Sequence, residues 1–492
     1  MKFCVTTPIY YINGEPHIGH AYASIAADIL ARFRRLDGSE VHFSTGTDEH
    51  GIKVARSAET ASMDVHKFSD LMSQGFRDLG KLINLSQDDF IRTTEERHIL
   101  SSQKLWRLMA DDIYKGSYSG WYSARDEEYV SEEDVVDGKA PSGAPVEWME
   151  EESYFFRLSA YQDKLLELYE KNPDFIAPVS RRNEVISFVK GGLKDLSISR
   201  SKFDWGIPIP NAPGHVMYVW IDALANYITS LGFPENTHRV SEMMANCVHV
   251  VGKEILRFHA VYWPAFLMSA GLTLPKRIFA HGWWTSEGQK MSKSIGNVVD
   301  PQKTIEKYGL DSVRYFLFRE IRFGEDGDFS EKALQQRISY DLANDLGNLV
   351  QRVLAFIQKI GGLRVNYDFT DAEMPLFEDS RNLVEKLRIL VDKQDLHGAL
   401  IEIWKLVSAS NKFVNDMRPW ELAREDDNRL NLVLTALCES LRAIAFGIAP
   451  FMPDTARKIF DFMNVEGKSF KEIEANFSDQ VFPSPFLLFP RE

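Results

Sequence analysis

A short apolar stretch near the start of the chain leads into a long amphipathic helix, and this junction constrains the fold most. Phe3-Cys4-Val5-Thr6 is typical of a strand, and Gly38 closes the helical pattern. The apolar residues on one helical face are Ile25, Ile29, Phe33 and Leu36. Between strand and helix stands His17-Ile18-Gly19-His20. In a βαβ unit this point binds anions, because the first helical amides are unpaired and the macrodipole is positive there. The pattern predicts an α/β fold with a phosphate site at the helix start.

A second candidate for phosphate binding lies far downstream, in a loop rich in Gly and Ser. Lys290 precedes Met291-Ser292-Lys293-Ser294, so two lysines offer a mobile cationic grip on phosphate. Each motif alone has an ordinary interpretation. Two nearby histidines are most often structural or a metal pair, and a lysine–serine loop is usually a solvated turn. The information lies in finding both motifs, complete and in this order.

Together the two motifs resemble the HIGH and KMSKS signatures of class I aminoacyl-tRNA synthetases. Other stretches narrow the resemblance to the methionyl-tRNA synthetase family: Pro8-Ile9-Tyr10-Tyr11-Ile12-Asn13-Gly14, Gly46-Thr47-Asp48-Glu49-His50-Gly51, Val219-Trp220-Ile221-Asp222-Ala223 and Gly252-Lys253-Glu254-Ile255. The resemblance runs to about Pro453 and is weaker between Gly116 and Gly214. It implies an enzyme that activates L-methionine with ATP to methionyl-adenylate. The enzyme then transfers methionine to the 3′ end of tRNA(Met), for translation initiation and elongation.

The chain is long enough for two to four domains. We expect a Rossmann-like parallel sheet split by an inserted connective domain, followed by an all-α helical bundle that the resemblance assigns to anticodon binding. The predicted segments are 1–115 and 216–285 for the two halves of the Rossmann catalytic domain, 116–215 for the insertion without a zinc knuckle, 286–335 for the KMSKS loop and linking segment, 336–465 for the helical domain, and 466–492 for a tail that packs back on the body.

Periodicity places the main elements within these segments. Short apolar runs predict strands at 40–44, 218–221, 247–251 and 277–281, and one helix is expected in the insertion around 161–171. From Glu331 onward apolar residues recur at helical spacing. Later helices are predicted from Leu396 to Met417 and from Leu430 to Phe446, ended by the following prolines.

Composition limits which binding partners and which cellular compartment are expected. The net charge of -14 does not by itself indicate a nucleic-acid binder, so a tRNA contact must concentrate positive charge locally. The candidate cations are Arg181, Arg182, Lys190, Lys194, Arg200, Lys202, Arg337 and Arg352, each of which is also compatible with an ordinary exposed charge.

No apolar run reaches transmembrane length, and the start of the chain lacks the pattern of a signal peptide. The three cysteines are isolated, which suits a reducing cytosol. We expect a cytoplasmic monomer with no membrane or DNA partner.

Many members of the family carry a zinc knuckle in the insertion. Here the matching positions, Ser123-Ala124-Arg125-Asp126 and Ala140-Pro141-Ser142-Gly143, contain no cysteine, so we expect no zinc and no metal site. Acidic residues between 127 and 134 are compatible with a hard cation, but a solvated face is the favoured interpretation. The insertion is also too short for an editing domain of the kind that the leucine, isoleucine and valine enzymes carry.

The resemblance assigns the ATP site residue by residue. Catalytic roles fall to His17, His20, Lys290 and Lys293, which would stabilise charge on the triphosphate. Gly19 would lie under the adenine, and Gly252 with Glu254 would bind the nucleotide, Glu254 at the ribose hydroxyls. ATP is expected with Mg²⁺, since magnesium keeps most of its waters and borrows phosphate ligands.

The resemblance also assigns the methionine pocket, whose members are Ile9, Tyr11, Asp48, Trp220, Leu224, Tyr227, Ile255, Phe258 and His259. An unbranched, polarizable thioether must be selected by shape and soft contacts. Taken singly, Trp220 or Phe258 fits core packing as well as a pocket. Asp48 is expected to pair with the substrate ammonium, and its alternative is a cap for the turn that follows it.

Anticodon reading is assigned to Asn348, Arg352 and Trp420. The first two share one helical face, and Trp420 follows Arg418-Pro419 at a helix end, where a flat ring can stack on an unpaired base. The alternative gives Arg352 an acidic partner and buries Trp420 in the core.

Two rival functions share some of these features. A small-molecule nucleotidylyltransferase shares the sheet and a similar histidine motif, but it is shorter and lacks a helical domain and the methionine-pocket motifs. A non-catalytic tRNA-binding paralogue would not need an intact set of His17, His20, Lys290 and Lys293.

Overall fold

The structure, a computed structural model, describes residues 1–123, 128–130, 132–286, 288–291, 297–368, 374–481 and 488–489. Its backbone divides into two compact units. The sheet unit comprises Lys2–Ala27 and Val41–His281, and the helical unit comprises Met1, Asp28–Glu40 and Gly282–Glu492.

The elements up to His281 belong mainly to the sheet unit. Its strands are β1 (Lys2–Thr6), β2 (Tyr10–Tyr11), β3 (Glu40–Asp48), β4 (Asp89–Arg92), β5 (Ile113–Ser123), β6 (Glu128–Val130), β7 (Glu147–Phe156), β8 (Ile176–Ala177), β9 (Leu196–Ser197), β10 (Ser199–Arg200), β11 (Val216–Met217), β12 (Cys247–Gly252) and β13 (Arg277–His281). Its helices are α1 (Ile18–Leu36), α2 (Ile52–Thr60), α3 (Val65–Leu82), α4 (Glu96–Leu108), α5 (Gln162–Lys171), α6 (Val179–Lys190), α7 (Val219–Thr229), α8 (Thr237–Met244) and α9 (Trp263–Ser269).

The main sheet has the order β2-β3-β1-β12-β13-β8, with β4 also paired to β3. The pairs β1–β12, β12–β13, β13–β8, β2–β3 and β3–β4 are all parallel. Since β1 stands between β3 and β12, the strand order changes direction between β1 and β12. In open α/β sheets ligands bind in the crevice outside the carboxyl ends of the strands at such a point. The predicted parallel α/β architecture is confirmed.

Helix α1 starts at this crevice, as predicted. Ile25, Ile29 and Phe33 are buried, and so is every residue from Ala21 to Ala31, so the helix is enclosed on all sides over that stretch. The helix ends at Leu36, and Gly38 adopts a φ of 78°, the left-handed conformation in which glycine commonly terminates helices. The sheet unit holds α1 as far as Ala27.

One predicted strand is wrong. The run 218–221 was expected to extend the sheet, but helix α7 begins at Val219. Every residue of α7 is buried, so no solvent-exposed face distinguishes it from a buried strand. A fully buried helix and a fully buried strand give the same continuous apolar pattern, and periodicity cannot separate them.

The inserted region forms an antiparallel sheet in the order β6-β5-β7-β9. Strands β5 and β7 pair along their lengths, from Ile113 opposite Phe156 to Tyr122 opposite Glu147. Helix α5 matches the one predicted there, whereas α6 was missed. Helix α6 buries only Val185 and Val189, too sparse a stripe to indicate a helix. Strand β8, from the same region, returns to the parallel sheet beside β13.

The helical unit holds a small sheet and then helices. Its strands are β14 (Trp284–Ser286), β15 (Gln289–Lys290) and β16 (Gly327–Phe329), in the order β15-β14-β16. Its helices are α10 (Pro301–Tyr308), α11 (Leu310–Arg319), α12 (Glu331–Arg337), α13 (Asn348–Lys359), α14 (Pro375–Asp392), α15 (Leu396–Met417), α16 (Pro419–Glu425), α17 (Asp427–Ile448) and α18 (Pro453–Met463). A π-helical segment, Ile338–Gly347, joins α12 to α13. The predicted helical domain is confirmed.

Helix α17 is the core of this bundle. Among the helices that the structure describes, it alone is long and apolar enough to cross a membrane, yet 89% of its most apolar window is buried inside the protein. It packs against α14 and α15. Its apolarity therefore reflects its central place among the other helices.

The described part of the C-terminal segment lies against the helical unit. The ring of Phe470 packs on Phe33 and Phe446, with centroids 5.0 and 6.0 Å away. Arg442 donates to the carbonyl oxygens of Ile473 and Ala475 at 2.8 and 2.6 Å. These contacts fix the chain beyond α18.

Candidate active site

His17 and His20 lie where the chain enters α1. The His17 carbonyl accepts from the amides of His20 and Ala21 at 3.0 and 3.2 Å, which starts the helix. The Nδ1 of His20 accepts from the His17 amide at 3.1 Å, and the Nδ1 of His17 accepts from the Gly19 amide at 3.1 Å. Because Nδ1 is the acceptor in both rings, each neutral imidazole carries its proton on Nε2. Two N–H donors therefore stand together at the carboxyl edge of the sheet, with ring centroids 3.8 Å apart.

Gly19 makes this arrangement possible. A Cβ there would stand 2.9 Å from Cε1 of His17, closer than real Cβ contacts allow. Any other residue would push the His17 ring away. The prediction that Gly19 lies under adenine stays a prediction.

Tyr10 and Phe76 hold the second histidine, and sequence reasoning assigned neither to the site. The His20 ring meets Tyr10 edge-on at 4.8 Å and Phe76 at 5.2 Å. The Tyr10 hydroxyl bonds to Ser24 on α1 at 2.8 Å. Burial raises the pKa of Tyr10 to about 12, so the phenol stays neutral. Tyr10 belongs to the motif that carried the resemblance, but no sequence signal singles out Phe76.

Asp48 ends β3 and stands beside Tyr11 of β2 in the parallel register. It is 2% exposed. The next residue, Glu49, is fully buried and bound by Arg92, whose Nε and Nη2 donate to its carboxylate at 2.7 and 3.0 Å, with Thr94 adding a third bond at 2.6 Å. This pairing fixes the loop directly after Asp48. Sequence reasoning did not identify Arg92.

Helix α7 forms an aromatic wall. Trp220 is 7% exposed and stacks on Phe258 with centroids 3.7 Å apart and planes at 5°. Phe258 and His259 open a π-helical turn, Phe258–Tyr262, a distortion frequent at functional sites. The other predicted pocket residues that share one apolar cluster with Trp220, or pack against it, are Ile9, Tyr11, Leu224, Tyr227, Ile255 and Phe258. The structure thus places these residues in one apolar core, with direct ring contacts from Trp220 to Phe258 and His259 and from Tyr227 to His259.

His259 is locked in one neutral form. Its Nδ1 donates to the Ile255 carbonyl at 2.9 Å, and its Nε2 lies 2.6 Å from the Tyr227 hydroxyl, which donates to it. Burial lowers the pKa of His259 to about 4 and raises the pKa of Tyr227 well above its usual value. The contact between Tyr227 and His259 is therefore neutral at physiological pH.

A second buried histidine, His249 on β12, backs this pair and was missed. The Trp263 indole donates to its Nε2 at 3.3 Å, so its proton lies on Nδ1, 2.8 Å from the Thr6 hydroxyl. Its ring lies 4.0 Å from that of Tyr227. Burial lowers the pKa of His249 far below its usual value. The base of the pocket therefore carries no charge on either histidine.

Gly252 and Glu254 stand at the carboxyl end of β12. The Glu254 carboxylate folds back so closely that a Cβ on residue 252 would lie 2.3 Å from its Oε1. Glycine at this position is therefore required for that placement of the exposed Glu254. Strand β12 neighbours β1 at the crevice described above.

The lysine motif is only partly described. The backbone of Lys290 lies in β15 of the helical unit, opposite Thr285. Its side chain, and all of Lys293, fall outside the described residues. Their assignment to the phosphates stays a prediction.

The predicted anticodon residues lie on two helices of the helical unit. Asn348 opens α13 and Arg352 follows one turn later; the Nη2 of Arg352 donates to Asn415 Oδ1 at 2.8 Å. Trp420 is 44% exposed, so it is not a core residue. Arg418, with a φ of 45°, turns the chain so that α16 starts at Pro419. A cavity of about 160 Å³ is lined by Arg352, Val353, Phe356, Val414, Pro419, Trp420, Leu434 and Leu437.

Some predicted surface cations are occupied elsewhere. Arg200 is 2% exposed, and its guanidinium packs over the rings of Tyr218 and Tyr122 at 4.5 and 5.4 Å, so the prediction of an exposed charge there is wrong. Arg337 pairs with Glu320 at 2.8 Å and Asp341 at 3.2 Å. Pairing of this kind reduces the charge offered to a polyanion.

The insertion has apolar packing around Ala140, at one of the two stretches where the resemblance predicts the position of a zinc knuckle. Val130, Ala140, Ala144 and Val146 form a small buried cluster, with Trp121 and Val135 against it. Within the described ranges, no group of three or more His, Cys, Asp or Glu side chains converges as metal ligands do. The side chains of this cluster do not suit a zinc ion.

Two family models match consecutive parts of the chain. The model of class I tRNA synthetases (M) matches residues 3–145 and 139–354. The anticodon binding domain of methionyl tRNA ligase matches residues 366–484.

Whole-chain comparisons agree with the models. The chain is 51% identical to methionine–tRNA ligase of Brucella suis biovar 1 (strain 1330), with 100% of this chain and 98% of that protein covered. It is 50% identical to methionine–tRNA ligase of Rickettsia bellii (strain RML369-C), with 99% of each covered. It also matches the solved structure of Mycobacterium tuberculosis methionyl-tRNA synthetase in complex with methionyl-adenylate, at 47% identity, a TM-score of 0.95 and complete coverage of both chains.

Proposed function

The chain belongs to the class I methionyl-tRNA synthetase family, and on that premise we propose specific residues for each step of its reaction. It is a methionine–tRNA ligase, which joins methionine to tRNA at the expense of ATP. The observation that carries the residue assignments is the crevice at β1 and β12. There the His17–His20 pair, Asp48, Gly252 and the aromatic wall of α7 all belong to one unit.

On the nucleotide side, we assign His17 and His20 to the α-phosphate. Their Nε2 donors stand at the start of α1, where the helix macrodipole also favours negative charge. Gly252 and Glu254 take the ribose end of ATP. Lys290 and Lys293 hold the β- and γ-phosphates of MgATP as point charges that can follow the departing pyrophosphate.

On the amino-acid side, Asp48 accepts the ammonium group of methionine. Trp220, Leu224, Tyr227, Phe258 and His259 surround the thioether, which is soft and uncharged. The neutral, internally bonded His259 supports this assignment, because a charged wall would have to be desolvated against an apolar side chain. Selection then rests on shape and polarizable contact.

The two chemical steps need no protein nucleophile. The methionine carboxylate attacks the α-phosphorus of ATP and releases pyrophosphate. A ribose hydroxyl at the 3′ end of tRNA(Met) then attacks the activated carbonyl and releases AMP. The protein contributes positioning and stabilisation of phosphate charge, and this suits a site built from histidines, lysines and amides.

Asn348, Arg352 and Trp420 read the anticodon. Trp420 offers an exposed ring for stacking, and the side chains of Asn348 and Arg352 supply donors and acceptors for base edges. The cavity between Arg352 and Trp420 supports this assignment, since it opens beside both side chains.

Three further properties belong to the proposal. The enzyme works without zinc, because the insertion is packed by Val130, Ala140, Ala144 and Val146. It acts in the cytoplasm, and it acts as a monomer. Stoichiometric protein-bound zinc in the active enzyme, measured by elemental analysis, would contradict the first point.

Two assays on one preparation test the assignments. Exchange of pyrophosphate into ATP should depend on methionine, and aminoacylation should depend on tRNA(Met). Exchange without added methionine would point instead to a nucleotidylyltransferase. No exchange at all would point to a non-catalytic tRNA-binding protein.

A further inference from the structure

A buried carboxylate, Asp222, stands on the far side of the helix that forms the pocket wall. At about 100° per residue, Trp220, Leu224 and Tyr227 fall on one face of α7. Asp222 and Thr229 fall on the opposite face. Asp222 is 1% exposed, so it lies inside the unit, on the side of α7 opposite the proposed pocket residues.

One oxygen of Asp222 binds the loop that carries the proposed ammonium site. His50 donates from Nδ1 to Asp222 Oδ2 at 2.6 Å. His50 follows Asp48 by two residues, and the Glu49–Arg92 pair fixes the residue between them. The contact therefore ties α7 to the end of β3.

The other oxygen binds helix α4. His98, which is fully buried, donates from Nε2 to Asp222 Oδ1 at 2.7 Å. Its Nδ1 lies 3.2 Å from the hydroxyl of Thr229, which donates its own hydrogen to the Ala225 carbonyl at 2.9 Å. The His98 ring therefore links Asp222 to Thr229, which lies two turns further along α7.

The carboxylate is ionised in spite of its burial. Burial alone would raise the pKa of Asp222, but His50 and His98 outweigh it and hold the pKa below its usual value. A buried ion pair of this kind is often no more stabilising than apolar side chains of similar volume, whereas removal of one partner is strongly destabilising. Its distinctive property is directional geometry, because each bond fixes one neighbouring element against α7.

We propose that Asp222 is a positioning residue for methionine, setting the separation between Asp48 and the aromatic wall of α7 through its bond to His50. Methionine must satisfy both anchors at once, its ammonium at Asp48 and its side chain at Trp220. A shift of α7 against the end of β3 would therefore weaken methionine binding. ATP, which is assigned to α1 and β12, would be affected little. The inference rests on the proposed methionine site.

The test compares variants that remove or retain one hydrogen bond. Asparagine places its amide nitrogen where histidine has Nδ1, so His50→Asn keeps the donor to Asp222 and His50→Ala removes it. In methionine-dependent exchange, His50→Ala and Asp222→Ala should raise the KM for methionine by roughly 10- to 100-fold, as expected for a small misplacement of a bound substrate. The KM for ATP should stay near that of the parent, and His50→Asn should recover most of the methionine affinity.

Tyr161→Phe serves as the matched control for lost stability. Asp112 also receives two donors, from Tyr161 and Ser269, both at 2.6 Å, and it stands outside the proposed site. This variant should lower the melting temperature and leave the KM for methionine unchanged.

Three results would overturn the inference: an unchanged KM for methionine in His50→Ala, an equal rise in the KM for ATP, or a His50→Asn variant as impaired as His50→Ala. If Asp222→Ala does not fold, the His50 pair decides alone. Absence of methionine-dependent exchange in the parent enzyme would instead refute the proposed function, so the two failures are distinguishable.

Discussion

The methionine pocket of the sheet unit and the anticodon surface of the helical unit differ in how their polar groups are satisfied. In the pocket, the Tyr227 hydroxyl and both nitrogens of His259 bond to each other or to backbone, and Trp220 is 7% exposed. In the helical unit, Trp420 is 44% exposed beside a cavity of about 160 Å³. Arg352 donates to a neutral amide and, among the described residues, forms no ion pair.

The difference matches the two proposed ligands. A small, flexible amino acid gains most from walls that are already ordered, since little is then lost on binding. A tRNA loop presents splayed bases, and exposed rings and donors can meet them without first breaking protein contacts. The enclosed site should therefore be sensitive to small changes of geometry, and the open surface should respond to loss of a single contact.

The largest expected effect is at the enclosed site. Asp48→Ala removes the carboxylate that is proposed to face the substrate ammonium and would leave that charge uncompensated in a nearly dry crevice, so methionine activation should fall by about 10²- to 10³-fold. Exchange and aminoacylation should fall together. Near-parental exchange by a variant that is folded by circular dichroism would remove Asp48 from the site.

The next effect separates phosphate binding from methionine binding. Lys293→Ala should slow adenylate formation by about 10²-fold, because its contacts strengthen as charge develops on the leaving phosphates. The KM for methionine should change little. Unchanged turnover with weakened methionine affinity would contradict the assignment.

A smaller effect is expected at the open surface. Trp420→Ala removes a stacking ring worth about 1–3 kcal/mol per base, so aminoacylation should fall by about tenfold. Methionine-dependent exchange should stay normal. Trp420→Phe keeps a flat ring, so its aminoacylation activity should lie between those of the parent and Trp420→Ala.

Ile389→Ala is the matched control for this surface. Ile389 is 59% exposed on α14 of the same unit and has no assigned role, so its loss should alter neither assay. Equal losses of both activities in Trp420→Ala would instead indicate that the ring supports folding.

Sequence motifs identified the residues that face the proposed ligands more readily than those behind them. His17, Asp48 and Trp220 stand in short stretches whose order carries information. The supporting residues Phe76, Arg92 and His98 lie on other elements and reach the site only through the tertiary fold. A lone arginine in a strand or a lone histidine in a helix has no local pattern that identifies its partner, so sequence alone could not pair His98 with Asp222.

The fold shows a similar limit. Helices α13 and α14 follow their periodicity, because one face of each is buried and the other is exposed. The prediction of a strand at α7 was wrong because this helix has no solvent-exposed face. Arg200 was counted among the surface cations because charge usually predicts exposure, whereas here the rings of Tyr218 and Tyr122 cover the guanidinium. In both cases burial on all sides removed the signal that sequence analysis uses.

The smallest expected effect on activity concerns pH. It further distinguishes the two regions, because the enclosed site contains buried titratable groups, whereas the indole ring of Trp420 does not titrate. Burial lowers the pKa of His259 to about 4, below the ordinary value near 6.5 expected in the unfolded chain. Between these two values the unfolded state binds more protons, so stability falls as the pH falls, and above about 6.5 the contribution is complete and constant.

Between a pH below 4 and a pH above 6.5, the shifted pKa of His259 changes the free energy of unfolding by about 3 kcal/mol in total. A tenfold difference in proton affinity between the folded and unfolded states corresponds to about 1.4 kcal/mol. Titration of His259 should therefore not change exchange activity between pH 7 and 8. Chemical denaturation at pH 7.5 and 5 should show a loss of stability in the parent that His259→Asn reduces by about 2 kcal/mol, because asparagine does not titrate. Part of the loss should remain, since His249 is also buried and neutral. An identical pH dependence in parent and variant would mean that His259 binds protons equally well in the folded and unfolded states, which would contradict a folded-state pKa lowered by burial.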